Sequence, residues 1–415
     1  MKKQKSKVLV AMSGGVDSSV AALLLKKQGY EVIGAFMKNW SNTKDDFGQC
    51  TWRSERHIAQ KIAAMLDIPL ITLDFEKQYK KQVIADMFKS YKQGITPNPD
   101  VVCNQKIKFP LLWKAAKKLG CRFIATGHYA RIKRSINGKA VNDETIIISI
   151  KLNKSNVSSQ TLNKGGRRVV GNLDKYELLR ARDESKDQSY FLYRLTQNDL
   201  LHTLFPIGNY TKTKTRQIAK KHKFPNWDKK STVGICFIGK VNLKKFLQQK
   251  IKPKKGKIIS PDGKIIGEHD GIYYYTIGQR IGPRFGIEVK KSKFDNPKQL
   301  KRWYVARKDL KTNTIIAAPQ GHQLLLRKSI IIKQFHVISD NKDSFIKKIS
   351  KKPLKLHSRI RHVGELLPST LTRNKKTKQT TITLKKPITG ISEGQAIVLY
   401  QGKKVFGGGV IRFEV

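Results

Sequence analysis

The sequence has few cysteines and no long apolar run. It contains 4 cysteines in 415 residues, and none of them forms a CxxC pair, which argues against a disulfide-bonded scaffold or a zinc ribbon. The longest apolar runs, such as 8–12 and 20–25, are far shorter than the roughly 20 residues that a membrane-spanning helix needs. The basic start of the chain runs directly into a predicted strand and leaves no room for a secretion signal. We therefore expect a cytoplasmic protein with no membrane partner.

Acidic residues are also scarce beside basic ones. The sequence has 84 Lys and Arg residues but only 30 Asp and Glu residues, which gives a formal net charge of +54. A surface with this charge repels itself unless it meets a polyanion, so nucleic acid is an expected partner. The lysine-rich segments 244–257, 342–355 and 373–378 are candidates for phosphate contacts, or are solvated loops. Base-composition drift toward lysine codons would produce part of the same excess.

The hydrophobic pattern divides the chain into three predicted domains. Residues 1–240 alternate short apolar strands with helices, which predicts a parallel, doubly wound α/β domain. Within that domain, 135–168 is a polar, exposed insertion that is open to interpretation as a hairpin. Short alternating segments between Gly, Pro and Asp predict a small β-rich central domain over 241–305. Regularly spaced strands over 306–415 predict a C-terminal β barrel.

The strongest local motif is SGGVDSS at Ser13–Ser19, between the first predicted strand and the first predicted helix. Its two glycines let the backbone approach a phosphate, and the helix that follows offers unpaired N–H groups. The motif is neither a P-loop ending in Gly-Lys-Ser/Thr nor a GxGxxG fingerprint. It resembles the PP-loop of ATP pyrophosphatases, which cleave ATP between the α and β phosphates. Asp17 is interpreted as organising either magnesium or the loop itself.

Further motifs follow in order along nearly the whole chain. They are Met37–Trp40, Thr96–Asp100 with Cys103-Asn104 and Ile107–Phe109, Ala125–Ala130, Lys186–Leu192, Gly234–Ile238 and Tyr275–Arg280. With the PP-loop, these motifs resemble those of the tRNA-specific 2-thiouridylases. The resemblance implies an adenine nucleotide alpha hydrolase-like domain that uses ATP with Mg²⁺. It also implies 2-thiolation of the wobble uridine U34, with AMP and pyrophosphate released.

The cysteines are assigned by the same resemblance. Sulfur transfer needs a thiol that carries a persulfide, and commonly a second thiol that releases the sulfur. The resemblance makes Cys236 the persulfide-bearing residue and Cys103 its nucleophilic partner, whereas Cys50 and Cys121 are interpreted as structural or incidental. Asp100 is a candidate general acid/base, or alternatively a capping residue in a proline-rich turn.

The resemblance also implies two sets of binding residues, and no residue is assigned to a metal site. The ATP site comprises Ala11, Met12, Ser13, Gly14, Gly15, Val16, Asp17, Ser18, Met37 and Gly127. The tRNA site comprises Asn98, Pro99, Asp100, His128, Lys186, Asp187, Gln188, Arg361, His362 and Gln395. The expected partners are tRNAs that accept Glu, Gln and Lys, and a protein that donates or relays persulfide sulfur. His362 stands where the family pattern favours an aromatic residue.

Two other functions remain open at this point. A small-molecule ATP pyrophosphatase, such as an amidating synthetase, explains the PP-loop but neither the two cysteines nor the basic barrel. A non-catalytic RNA-binding protein with an inactive loop explains only the charge.

Overall fold

The structure is a computed structural model that describes residues 5–41, 51–136, 139–141, 175–230, 242–282, 302–339 and 341–413. Its helices are α1 (Val16–Lys27), α2 (Thr51–Met65), α3 (Glu76–Tyr79), α4 (Ala85–Lys92), α5 (Pro99–Cys103), α6 (Phe109–Lys118), α7 (Gln197–Leu201), α8 (Lys212–Lys221), α9 (Leu243–Gln248) and α10 (Lys342–Lys351). The π-helical segments Lys80–Ile84 and Asn104–Lys108 join α3 to α4 and α5 to α6. Within these ranges, no helix is long and apolar enough to cross a membrane.

The strands of the described residues assemble into three sheets. In chain order they are β1 (Lys7–Ala11), β2 (Glu31–Lys38), β3 (Leu70–Asp74), β4 (Phe123–Ala125), β5 (Ala130–Ile136), β6 (Lys139–Val141), β7 (Lys175–Arg180), β8 (Thr203–Leu204), β9 (Gly256–Ile259), β10 (Ile265–His269), β11 (Arg280–Ile281), β12 (Trp303–Asp309), β13 (Thr314–Pro319), β14 (Arg327–Val337), β15 (Leu354–Arg359), β16 (Leu367–Arg373), β17 (Thr380–Ile388), β18 (Ala396–Gln401) and β19 (Lys404–Arg412).

The first sheet is parallel, with strand order β3-β2-β1-β4-β8. Its central strand β1 is apolar because helices cover both faces of the sheet, and Val8, Leu9 and Val10 are fully buried. The chain winds outward from β1 to β3 and then returns to β4 on the other side of β1. The strand order therefore reverses between β1 and β4, where ligands bind at the carboxyl edge of such sheets. The doubly wound α/β domain predicted from the sequence is confirmed.

The second sheet has strand order β10-β9-β13-β12-β11. The sequence analysis predicts a boundary between the central domain and the barrel at 305/306. That boundary falls inside β12 and assigns β13 to the barrel. In the structure, β12 pairs with β13 from Trp303↔Pro319 to Asp309↔Thr314, and β13 pairs with β9. The central sheet therefore extends to Pro319, since a boundary at 305/306 would cut through this pairing.

The third sheet forms the C-terminal barrel. Strands β14-β17-β16-β15-β18-β19 follow one another, and β14 also pairs with β19, which closes the barrel. Strand β19 extends to β7 of the first domain through Lys404↔Leu179, and β7 continues into β5 and β6. The β5–β6 pairing forms a hairpin where the insertion begins, and residues 142–174 lie outside the described ranges. The barrel is thus joined by strand pairing to the first domain.

One segment of the first domain differs from its predicted conformation. The pattern at Gln188–Leu195 predicts an α-helix, but the structure has a short 3-10 helix at Ser189–Leu192. The Asp187 carboxylate accepts hydrogen bonds from the Ser189 backbone N–H and from its hydroxyl group. A side chain that bonds to the backbone in this way competes with helical hydrogen bonding.

Candidate functional site

The phosphate loop follows β1 and is tied into a fixed shape by its own serines. The Ser13 N–H donates to Ser18 Oγ over 3.2 Å, and the Ser18 and Ser19 hydroxyls donate to the Gly15 carbonyl oxygen over 3.0 and 2.9 Å. Ser13 is exposed at the mouth of the loop, whereas Met12 and Val16 are buried in the core beneath it. The loop therefore presents backbone N–H groups at the start of α1, which suits an anionic phosphate.

Glycine is required at two points around this loop. Gly14 has a φ of +73°, and a Cβ atom there would lie 2.3 Å from the Glu55 carbonyl oxygen. Gly127 follows β4, and a Cβ atom there would lie 2.6 Å from the Ser18 backbone nitrogen. The segments that follow β1 and β4 thus meet at the point where the strand order reverses. Both glycines were predicted as ATP-site residues.

The Asp17 carboxylate is held by residues from two other segments. Lys212 at the start of α8 donates to both carboxylate oxygens, over 2.7 and 2.8 Å. The Tyr129 hydroxyl donates to Asp17 Oδ1 over 2.9 Å, and burial together with the nearby Asp17 charge raises the Tyr129 pKa. Asn226 donates to the Gly14 carbonyl oxygen over 3.0 Å. Sequence reasoning missed Lys212 and Asn226, because nothing local distinguishes them from the neighbouring polar residues.

Met37 lies at the same carboxyl edge, near the end of β2. It is buried and pairs in parallel register with Leu73 of β3. The next residue, Lys38, forms an ion pair of 2.8 Å with Asp74, which raises the Lys38 pKa. Met37 therefore stands on the edge of the sheet that carries the phosphate loop, as its prediction as a nucleotide neighbour requires.

The segment from Asn98 to Cys103 forms the short helix α5. Asn98 caps this helix, because its side-chain oxygen accepts a hydrogen bond from the Val101 N–H over 3.3 Å, and Pro99 occupies the first turn. Asp100 lies half-buried in the same turn. Cys103 ends α5 with none of its surface exposed. The helix thus fixes the predicted nucleophile within two turns of the residues predicted to face the base.

Of the other three cysteines, only Cys121 lies among the described residues. Cys121 is buried, and burial raises the pKa of its thiol. A raised pKa keeps the thiol protonated and poorly nucleophilic, which agrees with its interpretation as structural. Cys50 and Cys236 lie outside the described residues.

His128 is packed between aromatic rings rather than displayed on the surface. Its ring stacks on Phe109 at 5.9 Å and meets Phe205 edge-on at 6.1 Å. Its Nδ1 lies 2.7 Å from the Thr126 hydroxyl oxygen, and Lys108 Nζ lies 3.5 Å from its Nε2. Burial, together with the Lys108 charge, places the His128 pKa well below its usual value. His128 is therefore neutral at pH 7.

Asp187 forms a buried ionic cluster between the first domain and the barrel. Arg359 of β15 donates to its Oδ2 over 2.8 Å, and Arg180 of β7 approaches the same atom at 3.5 Å. The backbone N–H groups of Ala181 and Ser189 donate to Oδ1 over 3.0 and 3.2 Å. The Asp187 side chain has no exposed surface. In this structure the side chain is used in holding the two domains together, and its contact with tRNA stays a prediction.

The two sequence neighbours of Asp187 differ in their exposure to solvent. Lys186 is exposed, whereas the Gln188 side-chain oxygen accepts a hydrogen bond from the Tyr129 N–H over 2.9 Å. On the barrel, Arg361 is exposed and His362 packs on Phe191 with ring centroids 4.5 Å apart. Burial lowers the His362 pKa. Lys186 and Arg361 are thus the exposed cations of these two predicted tRNA contacts.

Gln395 of the barrel lies against the loop that precedes α5. Its amide nitrogen donates to the Thr96 and Pro97 carbonyl oxygens over 2.9 and 3.0 Å, and Asn98 donates to its oxygen over 3.4 Å. The fold thus brings together two predicted residues that are 297 positions apart in the sequence.

Family models match all three parts of the chain. Residues 6–240 match the model described as the tRNA methyl transferase HUP domain, 244–319 the tRNA methyl transferase PRC-barrel domain, and 327–411 the aminomethyltransferase beta-barrel domain. Together with the phosphate loop, these matches define a nucleotide-binding α/β protein that carries two β domains.

Curated relatives match over almost the whole chain. The tRNA-specific 2-thiouridylase MnmA of Streptococcus thermophilus (strain CNRZ 1066) is 38% identical over 98% of this chain and 95% of its own length. The proteins of the same name from Nitrosomonas eutropha (strain DSM 101675 / C91 / Nm57) and Coxiella burnetii (strain Dugway 5J108-111) are 38% and 39% identical. They cover 99% and 98% of this chain, and 99% and 98% of their own lengths. The chain belongs to the tRNA-specific 2-thiouridylase family.

Replacing Asp187 should lower stability rather than tRNA affinity. The Asp187→Asn change leaves two arginines without their buried counter-charge, and breaking a buried pair costs about 3–5 kcal/mol. The matched control is Glu184→Gln, because Glu184 pairs with the same Arg180 at 3.1 Å but is mostly exposed; its loss should cost under about 1 kcal/mol. Urea unfolding monitored by fluorescence measures both. Unchanged unfolding with a large loss of tRNA affinity would contradict the structural role.

Replacing Lys212 should weaken ATP binding. In Lys212→Met the Asp17 carboxylate keeps its charge but loses the ion pair that fixes its position beside the phosphate loop. We expect an affinity loss of about tenfold or more, equivalent to about 1.4 kcal/mol. The control is Lys214→Met, in the same helix and with an exposed side chain. Calorimetry with a non-cleavable ATP analogue gives both values, and equal affinities for the two variants would refute the assignment.

Proposed function

We propose that this chain is an ATP-dependent sulfurtransferase that converts the wobble uridine U34 of tRNA into 2-thiouridine. The observation that carries the proposal is a continuous set of contacts between the phosphate loop and the segment of Cys103. Gly127 lies against Ser18 of the loop. The adjacent His128 stacks on Phe109, the first residue of α6, and its ring lies 3.5 Å from Lys108 Nζ. The π-helical segment Asn104–Lys108 connects that point directly to Cys103. These contacts support a single site in which ATP activates the uridine oxygen near the Cys103 thiol.

The ATP phosphates are proposed to bind at the N terminus of α1. Mg²⁺ is commonly held by one or two carboxylates together with substrate phosphates, and Asp17 is the carboxylate that fits this role beside the loop. Among the residues that the structure describes, no group of three or more His, Cys, Asp or Glu side chains could hold a metal ion. A lone carboxylate beside the loop suits a magnesium ion that arrives with ATP.

The proposed reaction has two stages. The C2 carbonyl oxygen of the uridine attacks the α-phosphate of ATP, and pyrophosphate leaves. The terminal sulfur of a Cys236 persulfide then attacks C2, and AMP departs with the former carbonyl oxygen. The Cys103 thiolate attacks the Cys236 sulfur, so the S–S bond to the transferred sulfur breaks and a Cys103–Cys236 disulfide forms. An external thiol reduces this disulfide before the next turnover.

Asp100 is proposed to act as the general acid/base in this reaction. It lies in the first turn of the helix that ends at Cys103, and it is only half-buried. A carboxylate in this position can accept the proton of the thiol or of the uridine N3. The cap of this helix is Asn98, so the alternative for Asp100 is to complement the helix dipole as an acidic residue in the first turn.

The tRNA is proposed to bind where the barrel meets the first domain. Lys186 and Arg361 supply exposed cations there, and the lysine-rich segments add phosphate contacts that weaken with salt. A wobble base must leave the stack of the anticodon loop to reach α5. We include tRNAs that accept Glu, Gln and Lys, a persulfide relay protein and a cytoplasmic location in this proposal.

The proposed roles of the cysteines are tested by assaying cysteine variants with unmodified tRNA. Cys236→Ser should form no 2-thiouridine while it still converts ATP to AMP in the presence of tRNA, because adenylation does not need the sulfur. Cys103→Ser should lose multiple turnover, since the sulfur is not released. Cys121→Ala is the matched control and should keep full activity. Mass spectrometry of nucleosides and chromatography of AMP measure the two products.

Two outcomes would contradict the proposal. Full multiple-turnover thiolation by Cys103→Ser would remove its assigned role. AMP formed equally without tRNA, and no sulfur incorporated by the unaltered enzyme, would favour a small-molecule ATP pyrophosphatase instead.

A further inference from the structure

Asn226 lies in the turn at 225–228 that follows α8, and its side chain is buried against the phosphate loop with 2% exposure. Its Nδ2 atom carries two hydrogens. One is donated to the Gly14 carbonyl oxygen over 3.0 Å and the other to Ser19 Oγ over 3.2 Å. Among the residues that the structure describes, its Oδ1 has no hydrogen-bond partner. The contribution of this side chain to the loop is therefore its two donors.

The bond to Gly14 fixes the direction of the next backbone N–H group. In a planar trans peptide group, the carbonyl oxygen and the N–H that follows it point in opposite directions. Because the Gly14 carbonyl points inward to Asn226, the Gly15 N–H points outward, where it donates to the Oγ of exposed Ser13 over 3.4 Å. A Gly14 carbonyl turned the other way would present an oxygen to the phosphates in place of a donor.

Ser19 extends the same control to the following peptide group. Its hydroxyl is fully buried and donates to the Gly15 carbonyl oxygen over 2.9 Å. By the same geometry, the N–H of Val16 then points away from that carbonyl. Asn226 donates to Ser19 Oγ, so the hydroxyl is left to donate its own hydrogen to Gly15. Ser18 adds a second bond to the Gly15 carbonyl over 3.0 Å.

The turn that carries Asn226 is itself held against the loop. The Lys229 N–H donates to the Asn226 carbonyl oxygen over 3.1 Å, and the Lys229 side chain forms an ion pair of 3.2 Å with Glu55. Glu55 is the residue whose carbonyl oxygen lies against Gly14. Arg216 of α8 donates to the Lys229 carbonyl oxygen over 3.4 Å. Both ends of the turn are therefore tied to segments that border the phosphate loop.

We propose that Asn226 is a positioning residue for the pyrophosphate part of ATP. It holds the Gly14 carbonyl directly, and the Gly15 carbonyl through Ser19, on the buried side of the loop. The N–H groups of Gly15 and Val16 are then turned toward the phosphates before ATP binds. This inference deepens the proposed function and rests on it for the identity of the nucleotide and of the reaction.

The effect expected is on binding of phosphates. Asn226→Leu is close to asparagine in size and removes both donors, so the buried Gly14 carbonyl loses its partner. The Kd for a non-cleavable ATP analogue and for inorganic pyrophosphate should rise about 10- to 100-fold, equivalent to about 1.4–2.8 kcal/mol. The Kd for adenosine, which has no phosphate, should change less than about threefold. Calorimetry measures all three, and equal losses for the three ligands would overturn the proposal.

Asn313 provides a matched control in the central domain. Its Nδ2 also donates to two backbone carbonyl oxygens, those of Lys254 and Lys255, over 3.3 and 2.7 Å. Its φ is +53°, so glycine is the replacement that leaves the backbone unstrained. Asn313→Gly should lower stability in urea unfolding and leave the Kd for pyrophosphate unchanged. A loss of pyrophosphate affinity as large as that of Asn226→Leu would mean that affinity follows stability, and the proposal would be wrong.

A double variant tests the connection through Ser19. Ser19→Ala should weaken pyrophosphate binding less than Asn226→Leu, because Ser18 still holds the Gly15 carbonyl. If both residues act in one network, the combined variant should bind pyrophosphate within about threefold of Asn226→Leu alone. A combined loss equal to the product of the two single losses would refute the connection.

These binding measurements do not depend on thiolation. If the unaltered chain makes no 2-thiouridine while Asn226→Leu selectively loses pyrophosphate affinity, the positioning role is upheld and the proposed function alone is refuted. If the unaltered chain thiolates tRNA and Asn226→Leu keeps its pyrophosphate affinity, the positioning role alone is refuted.

Discussion

The relative placement of the domains depends on the buried carboxylate of Asp187. A carboxylate without solvent is costly unless opposite charge and hydrogen bonds surround it. Here those partners come from both sides of a domain boundary, since Arg180 belongs to the first domain and Arg359 to the barrel. The barrel cannot shift on the first domain without separating this pair. Such a constraint stabilises one arrangement more than it adds to overall stability.

Contacts on either side of this charge cluster follow from the same arrangement. The Tyr190 hydroxyl donates to the carbonyl oxygens of Ile360 and Ala396, over 3.3 and 2.9 Å, and so joins the 3-10 helix after Asp187 to two barrel segments. Ala396 follows Gln395 directly. Fixing Ala396 therefore also fixes the residue that holds the loop before α5. The ionic cluster and the Tyr190 hydrogen bonds thus act together in placing a barrel residue against the segment that leads to Cys103.

The sequence predicts those parts of the molecule that depend on neighbouring residues. The strand, the two glycines and the helix around Ser13–Ser19 are adjacent, so their pattern predicts a phosphate site. The cap of α5 was sought at Asp100, whereas the structure places it at Asn98. Long-range pairing is not visible in this way. Lys212 meets Asp17 across 195 positions, and β13 joins β9 in the central sheet. Asp187 is a polar residue in a polar segment, and only its surroundings distinguish a domain link from an RNA contact.

The contacts of the barrel argue against the hypothesis that this chain is a non-catalytic RNA-binding protein with an inactive phosphate loop. A barrel that only supplied affinity would need exposed cations and would be indifferent to the loop before α5. Instead it shares backbone and side-chain hydrogen bonds with that loop, through Glu393 and Gln395. A small-molecule enzyme would equally have no need for a distant basic domain to hold the turn beside its thiol. In the proposed reaction this coupling would bring the bound RNA and the Cys103 thiol into register, because a base that leaves the stack of a bound anticodon loop would arrive at a place set by the barrel.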